Sequence, residues 1–321
     1  MDNTDHYICH TAHYIWHANK LIDIFLIEIM MSRRLLLTQT LLLLAGCAAS
    51  QSNKSQSLGK LVIGVVAYGE GVRSVDQYQR FIHYLETRIK TLIELEPAFN
   101  EVKAVDQIQR QAWSIVFASP GLAAIAVSKA NYLPIFPLEG VDNLSSVLVV
   151  QKNSLMQKIT DVTGQVVALG QPGSATGYYV PLYNLYGTSP AEVRIAPTPK
   201  IALEWLTKGE VAVAALAKDE FERYRGEFSS VQFRILYNSR RIPSGSVLIS
   251  PEVDRNQQQL IQQAMNEAVP AIAQEVGYIP NASPPNYKTL ISFIDKVKPI
   301  EARINEKPAP LYNTGEQHSP P

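Results

Sequence analysis

From residue 61 onward, short runs of branched and aliphatic residues alternate with stretches whose apolar residues recur every three to four positions. That alternation restricts the chain to α/β architecture with largely parallel sheets. Residues 61–66, LVIGVV, read as a buried strand, and Val75, Tyr78, Phe81, Ile82, Leu85 and Ile89 then mark one face of a helix. A strand near 92–96, a helix carrying Val102, Val105 and Ile108, and a strand at 114–118 continue the pattern. Pro120 opens the next helix, where its missing N–H does no harm.

The β-branched run 146–151 begins a second alternation. It predicts a strand at 165–169, a helix from about Thr176, a strand at 193–195, a helix carrying Ile201, Leu203, Trp205 and Leu206, and a strand within 211–216. After 233–236, residues 241–246 lead into a strand at 247–250 that reads as a return crossing. One long helix carrying Leu260, Ile261, Ala264, Met265, Ala268, Val269, Ile272 and Val276 follows, then a shorter one with Leu290, Phe293, Ile294 and Val297. The expected lobes are 60–145 plus 240–303, and 146–239. Two crossings leave a cleft between lobes that can close on a small ligand. The Pro-rich tail, 304–321, reads as disordered.

Near the start, Ser32-Arg33-Arg34 precedes an apolar run at 35–45, the layout of an export signal and too short to span a bilayer. Leu44-Ala45-Gly46-Cys47 resembles a bacterial lipobox, in which Cys47 takes a diacylglyceryl group and becomes the first mature residue. Residues 30–46 are then the signal, and the Ser/Gln/Asn-rich 47–59 a flexible tether. The expected product is periplasmic and membrane-anchored through lipid. The paired arginines fit twin-arginine as well as general export. Residues 1–29 precede Met30 and Met31, either of which suits the start of such a precursor. Their His6, His10, His13 and His17 fall at near-helical spacing but read as incidental, not as a metal site. With Cys9 removed and Cys47 lipidated, no disulfide remains, so stability must come from the cores.

Charge narrows the function. Lysine plus arginine, 29, equals aspartate plus glutamate, 29, so no broad field recommends nucleic acid, and the partner is expected to be a small molecule. Downstream of Cys47 only His83 and His318 remain, which argues against a His-based triad or metal centre. Tyr178 stands where a P-loop needs its lysine, no G-x-G-x-x-G follows a strand, and the loop at 173–177 lacks a central serine. Glu70, Glu139 and Asp219 are acids whose spacing selects none of them. No catalytic residue, metal or cofactor is expected.

The binding candidates lie where strands end. In the stretch 166–178, VVALGQPGSATGY, a strand runs into a glycine loop and a helix start. Unpaired N–H groups there, with Ser174 and Thr176, would cradle a tetrahedral oxyanion. The same residues also read as a plain N-cap bonding its own helix. Ser119, beside Pro120 and Gly121, ends another strand, and Tyr68 ends the first, where it would supply a wall or a hydroxyl.

These residues resemble the phosphate, phosphite and phosphonate binding-protein family of ABC importers over roughly 58–300. The resemblance is carried by Phe117-Ala118-Ser119-Pro120, by 146–152, and above all by Pro172, Ser174-Ala175-Thr176-Gly177-Tyr178 and Pro181. Gly209-Glu210-Val211 before Ala214-Ala215, and Ile242-Pro243-Ser244-Gly245, also align. It implies a two-lobed type II periplasmic binding protein, two mixed-sheet lobes joined by two crossover strands, serving ABC permease subunits. It also implies that Ser174 and Thr176 donate to the ligand, that Ala175 offers only its N–H, and that Gly177 and Tyr178 complete the block. The family's histidine aligns near Thr198 or Pro199 and its acid near Ala217, so both side chains are missing; Asp219, two residues on, is the substitute considered. Amine-bearing phosphonates are therefore expected to gain little. The expected function is capture of a small phosphorus oxyanion for import. A receptor of the same fold that signals to a sensor, or a binder of another small anion, is the alternative.

Overall fold

A computed structural model describes residues 60–66, 75–140 and 144–313. Cys47, the signal, the tether, Tyr68 and Glu70 lie outside the described residues. Among the described residues no helix is long and apolar enough to cross a membrane.

Ten strands form two five-stranded sheets. The first contains β1 (Leu61–Val66), β2 (Ile93–Ala98), β3 (Ile115–Ala118), β4 (Leu133–Pro137) and β10 (Ser246–Ile249), in the order β2-β1-β3-β10-β4. The second contains β5 (Ser146–Gln151), β6 (Val166–Leu169), β7 (Glu192–Ile195), β8 (Val213–Ala217) and β9 (Phe233–Asn238), in the order β7-β6-β8-β5-β9. In each, four strands share one direction and the fifth, β10 or β5, inserts antiparallel between two of them. The chain passes between sheets after β4 and again through 239–245. The two-sheet α/β fold is as the sequence led one to expect.

Local chemistry accounts for the helices of the first half. Helix α1 (Gln79–Ile89) buries Phe81, Ile82, Leu85 and Ile89 and ends at Lys90 in the left-handed conformation. Helix α2 (Glu101–Gln109) starts at Asn100, whose side chain accepts from the Lys103 N–H at 2.8 Å. Helix α3 (Pro120–Ala130) is buried on nearly all sides, which its small Ala123, Ala124 and Ala126 permit. Beneath β1, Gly64 leaves room for Trp113: a Cβ there would lie 1.9 Å from the indole ring.

Strand β4 was not expected from the sequence. Its LPIFP run carries prolines at both inner and outer positions, yet it lies at the sheet edge, where a missing N–H costs no ladder bond. The single long helix expected across 260–276 is two, α7 (Arg255–Asn266) and α8 (Pro270–Val276). Pro270 has no N–H for a helix interior and forces Val269 out of helical geometry, to ψ 146°.

The tail differs from expectation as far as residue 313. Ile304, Ala309 and Leu311 are buried, Ala309 N–H donates to the Pro190 carbonyl at 2.8 Å, and Gly187 N–H donates to Leu311 at 2.8 Å. A Pro-rich composition weakens helix and sheet but does not stop an extended strap from docking apolar residues. Helix α9 (Lys288–Glu301) leads into it and touches both halves: Lys129 of α3 meets Asp295 at 2.8 Å, and Phe293 stacks on Tyr183 at 4.0 Å. One core accordingly runs from Leu122 and Ala123 through Leu290 and Ile294 to Tyr178 and Leu182, with separate cores on the outer face of each sheet.

Candidate functional site

The carboxyl ends of β6 and β8 and the start of α2 converge on one small cavity. After β6, Gly170 to Gly173 carry the chain through a turn that ends with Gly173 at φ +111°. That left-handed backbone is matched by a close approach: a Cβ on Gly173 would lie 2.7 Å from Cβ of Glu101. Ser174 then caps a wide turn, Ala175–Tyr179, its Oγ accepting from the Gly177 N–H at 3.0 Å. Tyr179 N–H reaches back five residues to the Ser174 carbonyl, a π-type turn in place of the α-helix expected from Thr176, before α4 (Val180–Asn184) takes over. Ser146 Oγ donates to the Thr176 carbonyl at 2.5 Å and ties the turn to β5.

The N-cap reading of Ser174 is present. Its oxygen caps the turn, and a hydroxyl that accepts one bond keeps its own proton to donate. Ser174 and Gly177 line the cavity. Ala175 and Tyr178 do not: Ala175 is buried, and Tyr178 sits in the shared core, its ring edge-on to Tyr179 at 5.1 Å. Burial first, and the nearby Glu301 charge second, push the Tyr178 hydroxyl far above the usual phenol range, so it stays neutral. Thr176 also lies off the cavity wall. Ser119 is exposed at the start of α3, without a side-chain capping bond, and does not line it either.

The remaining polar walls are Glu101, Gln171, Thr198 and Glu220, enclosing about 30 Å³. Thr198 caps α5 (Pro199–Lys208) by accepting from the Ile201 N–H at 3.2 Å. Gln171 Oε1 is buried without a hydrogen-bond partner. Glu220 lies in the first turn of α6 (Lys218–Tyr224) and folds back so that its Oε2 accepts from the Ala217 N–H at 3.0 Å. A carboxyl therefore does stand beside Ala217, three residues removed in sequence. Asp219, the substitute considered, does not line the cavity.

Both glutamates are displaced toward neutrality. Burial is the main cause for Glu101, opposed by its own backbone N–H and helped by Glu220; its pKa is raised to about 7. Burial also lifts Glu220 to about 7, with the Ala217 N–H pulling down, Asp219 pushing up and Arg223 pulling down. No lysine, arginine or histidine lines this cavity, and the described residues contain no metal-binding cluster. A larger trough, about 590 Å³, runs along α1 past Arg80, His83 and Arg88, but it is open to solvent and remote from the strand ends.

Of the residues singled out from sequence, Ser174 and Gly177 line this cavity; Glu101 and Glu220, which line it too, were not among them. Acids in a first helical turn read as partners of the helix dipole, and only the fold shows that these two point at one space.

Solved structures of similar fold include XAC2383 from Xanthomonas citri bound to ATP, 16% identical with TM-score 0.63 over 75% of this chain and 98% of that one. PhnD1 from Prochlorococcus marinus in complex with methylphosphonate is 14% identical, with TM-score 0.59 over 74% and 98%. A binding protein component of an ABC phosphonate transporter from Pseudomonas aeruginosa is 14% identical, with TM-score 0.54 over 68% and 79%. No curated protein sequence matches the chain. The family model for the periplasmic substrate-binding protein of phosphonate ABC transporters matches residues 63–274. Spanning more than half of the chain, that match places it in the family: it is a periplasmic-type substrate-binding protein of the ABC transporter phosphonate group.

Proposed function

We propose that this chain captures a small phosphorus oxyanion, phosphate, phosphite or a short phosphonate, and presents it to the permease of an ABC importer. The observation that carries this reading is the polar cavity at a turn start, lined by Ser174, Glu101 and Glu220. Its walls are polar and carry no cationic side chain, so recognition of an anion there falls to neutral donors. Ser174 offers a hydroxyl proton, and a glutamic acid that keeps its proton near neutral pH donates to an anionic oxygen as a carboxylate cannot. The methylphosphonate complex of the Prochlorococcus marinus relative supports the same class.

Glu220 changes the expectation for amine-bearing phosphonates. Its carboxyl occupies the place after β8 and, once ionised, supplies the acceptor that an ammonium group needs. 2-Aminoethylphosphonate is therefore expected to bind at least as tightly as methylphosphonate. We further propose that Cys47 carries a lipid that holds the receptor at the membrane.

Calorimetry and thermal shift with phosphate, phosphite, methylphosphonate, 2-aminoethylphosphonate, sulfate and small carboxylates test the assignment. Stabilisation by phosphorus compounds but not by sulfate or carboxylates is the expected pattern. Equal stabilisation by sulfate, or none by any phosphorus compound, would overturn it.

A further inference from the structure

Glu101 belongs to the first half and Glu220 to the second, yet both line the same small cavity. Glu101 is 8% exposed, and its side chain lies against the Gly173 loop of the opposite half. The cations nearby are engaged elsewhere. Lys103, on the helix of Glu101, reaches Asp106 at 3.5 Å; Lys200, on the adjoining α5, pairs with Glu227 at 2.7 Å. On α6 itself Arg223 and Asp219 act on Glu220 in opposite senses. Two acids with no cation between them can share a closed space only while protons neutralise them.

We propose that Glu101 and Glu220 form a proton-operated latch across the cleft: protonated, they let the two halves close on each other, and their ionisation drives the halves apart. The proposal rests on the reading that the halves close around a solute, but it needs no particular ligand. In the open cleft both acids regain water and an ordinary carboxylate pKa near 4.5, whereas in the closed cavity they titrate near 7. Closing therefore takes up protons between those values. The closed form is fully favoured below about pH 4.5, loses ground up to about pH 7, and changes little above. An importer built this way would hold cargo more firmly in an acidified periplasm.

Hydrogen exchange on the ligand-free full chain, corrected for the intrinsic pH dependence of exchange, tests the latch. Protection of residues 170–179 should fall by at least tenfold from pH 5 to pH 7, while β1, which exchanges only on wider unfolding, stays the better protected at both pH values. The double variant Glu101→Gln with Glu220→Gln should stay protected throughout, since glutamine still accepts from the Ala217 N–H. Should the double variant fail to fold, each single variant is expected to halve the logarithmic change. The latch is refuted by pH-independent protection in the native chain, by residues 170–179 and β1 showing the same protection at every pH, or by variants that open as the native chain does. Because no ligand is added, those outcomes leave the oxyanion assignment to calorimetry.

Discussion

Gly121 and Gly173 meet main chain to main chain: a Cβ on Gly121 would lie 2.1 Å from the Gly173 carbonyl oxygen and 2.6 Å from the Ala175 nitrogen. The start of α3 and the loop before the Ala175–Tyr179 turn touch there with no side chain between them. Gly121→Ala must therefore push backbone aside, and overpacking of this kind costs about 1–3 kcal/mol. Thermal unfolding should show a fall of several degrees, whereas Gly226→Ala, with nothing within 4 Å of the added methyl, should unfold close to the native temperature. A Gly121→Ala chain as stable as the native one would mean that the halves do not press together at this point.

Ser174 serves the fold and the proposed ligand through different atoms. Replacing it with alanine removes the acceptor for the Gly177 N–H, worth about 1 kcal/mol of stability. It also removes a donor to a charged oxygen, which should weaken methylphosphonate by about tenfold to a hundredfold. Thr176→Ala, off the cavity wall, should leave calorimetric affinity within about twofold. Equal losses from both substitutions would place the ligand deeper along the turn.

Acid should stabilise this chain over an unusual range. The folded form keeps protons on Glu101 and Glu220 to about pH 7, whereas exposed glutamates release them near 4.5. Folded protein thus binds more protons in that window, and stability declines as pH rises through it, then levels. Glu101→Gln removes one of the two contributions: in urea titrations it should match the native chain at pH 4 and exceed it by ~2–3 kcal/mol at pH 8. A variant less stable than native at pH 8 would show that the carboxylate is better solvated than its burial implies.

Leu311, fully buried near the end of the described chain, should behave as a core residue despite its neighbourhood of prolines. Leu311→Ala is expected to cost about 2–5 kcal/mol in chemical denaturation. A cost below about 0.5 kcal/mol, the range of ordinary surface changes, would mark the strap as peripheral.

Cys47→Ser should shift the protein from the membrane to the soluble fraction, because lipid chains provide the proposed attachment. Continued sedimentation with membranes after this change would exclude the cysteine as anchor.

The alternation of strands and helices was legible because burial imposes different periods on the two, and the period survives in 61–66, 79–89 and 146–151 whatever the partner elements are. Pro134 and Pro137 hid β4, since a proline argues against a central strand and sequence does not announce an edge. Ser174 was visible from its place after a strand and a glycine loop. Glu220 was not, because a side chain that folds back over one turn delivers its carboxyl to the position of Ala217, and matching residues position by position looks for the acid at the wrong number. Glu101 escaped for a related reason: its neighbours in the cavity come from residues 170–220, and no local pattern reports a contact over such a separation.

Helix α9 governs which movements remain available. Two connecting strands alone would let one half both rock and swivel on the other. This helix lies along both, with the Phe293–Tyr183 stack on one side and the Lys129–Asp295 pair on the other, and so adds a third link between them. Any closing of the halves would have to carry this helix with it. Such a link would hold groups on opposite halves to a narrower range of mutual alignments than two connections alone, and so would narrow the range of ligands that both could touch at once.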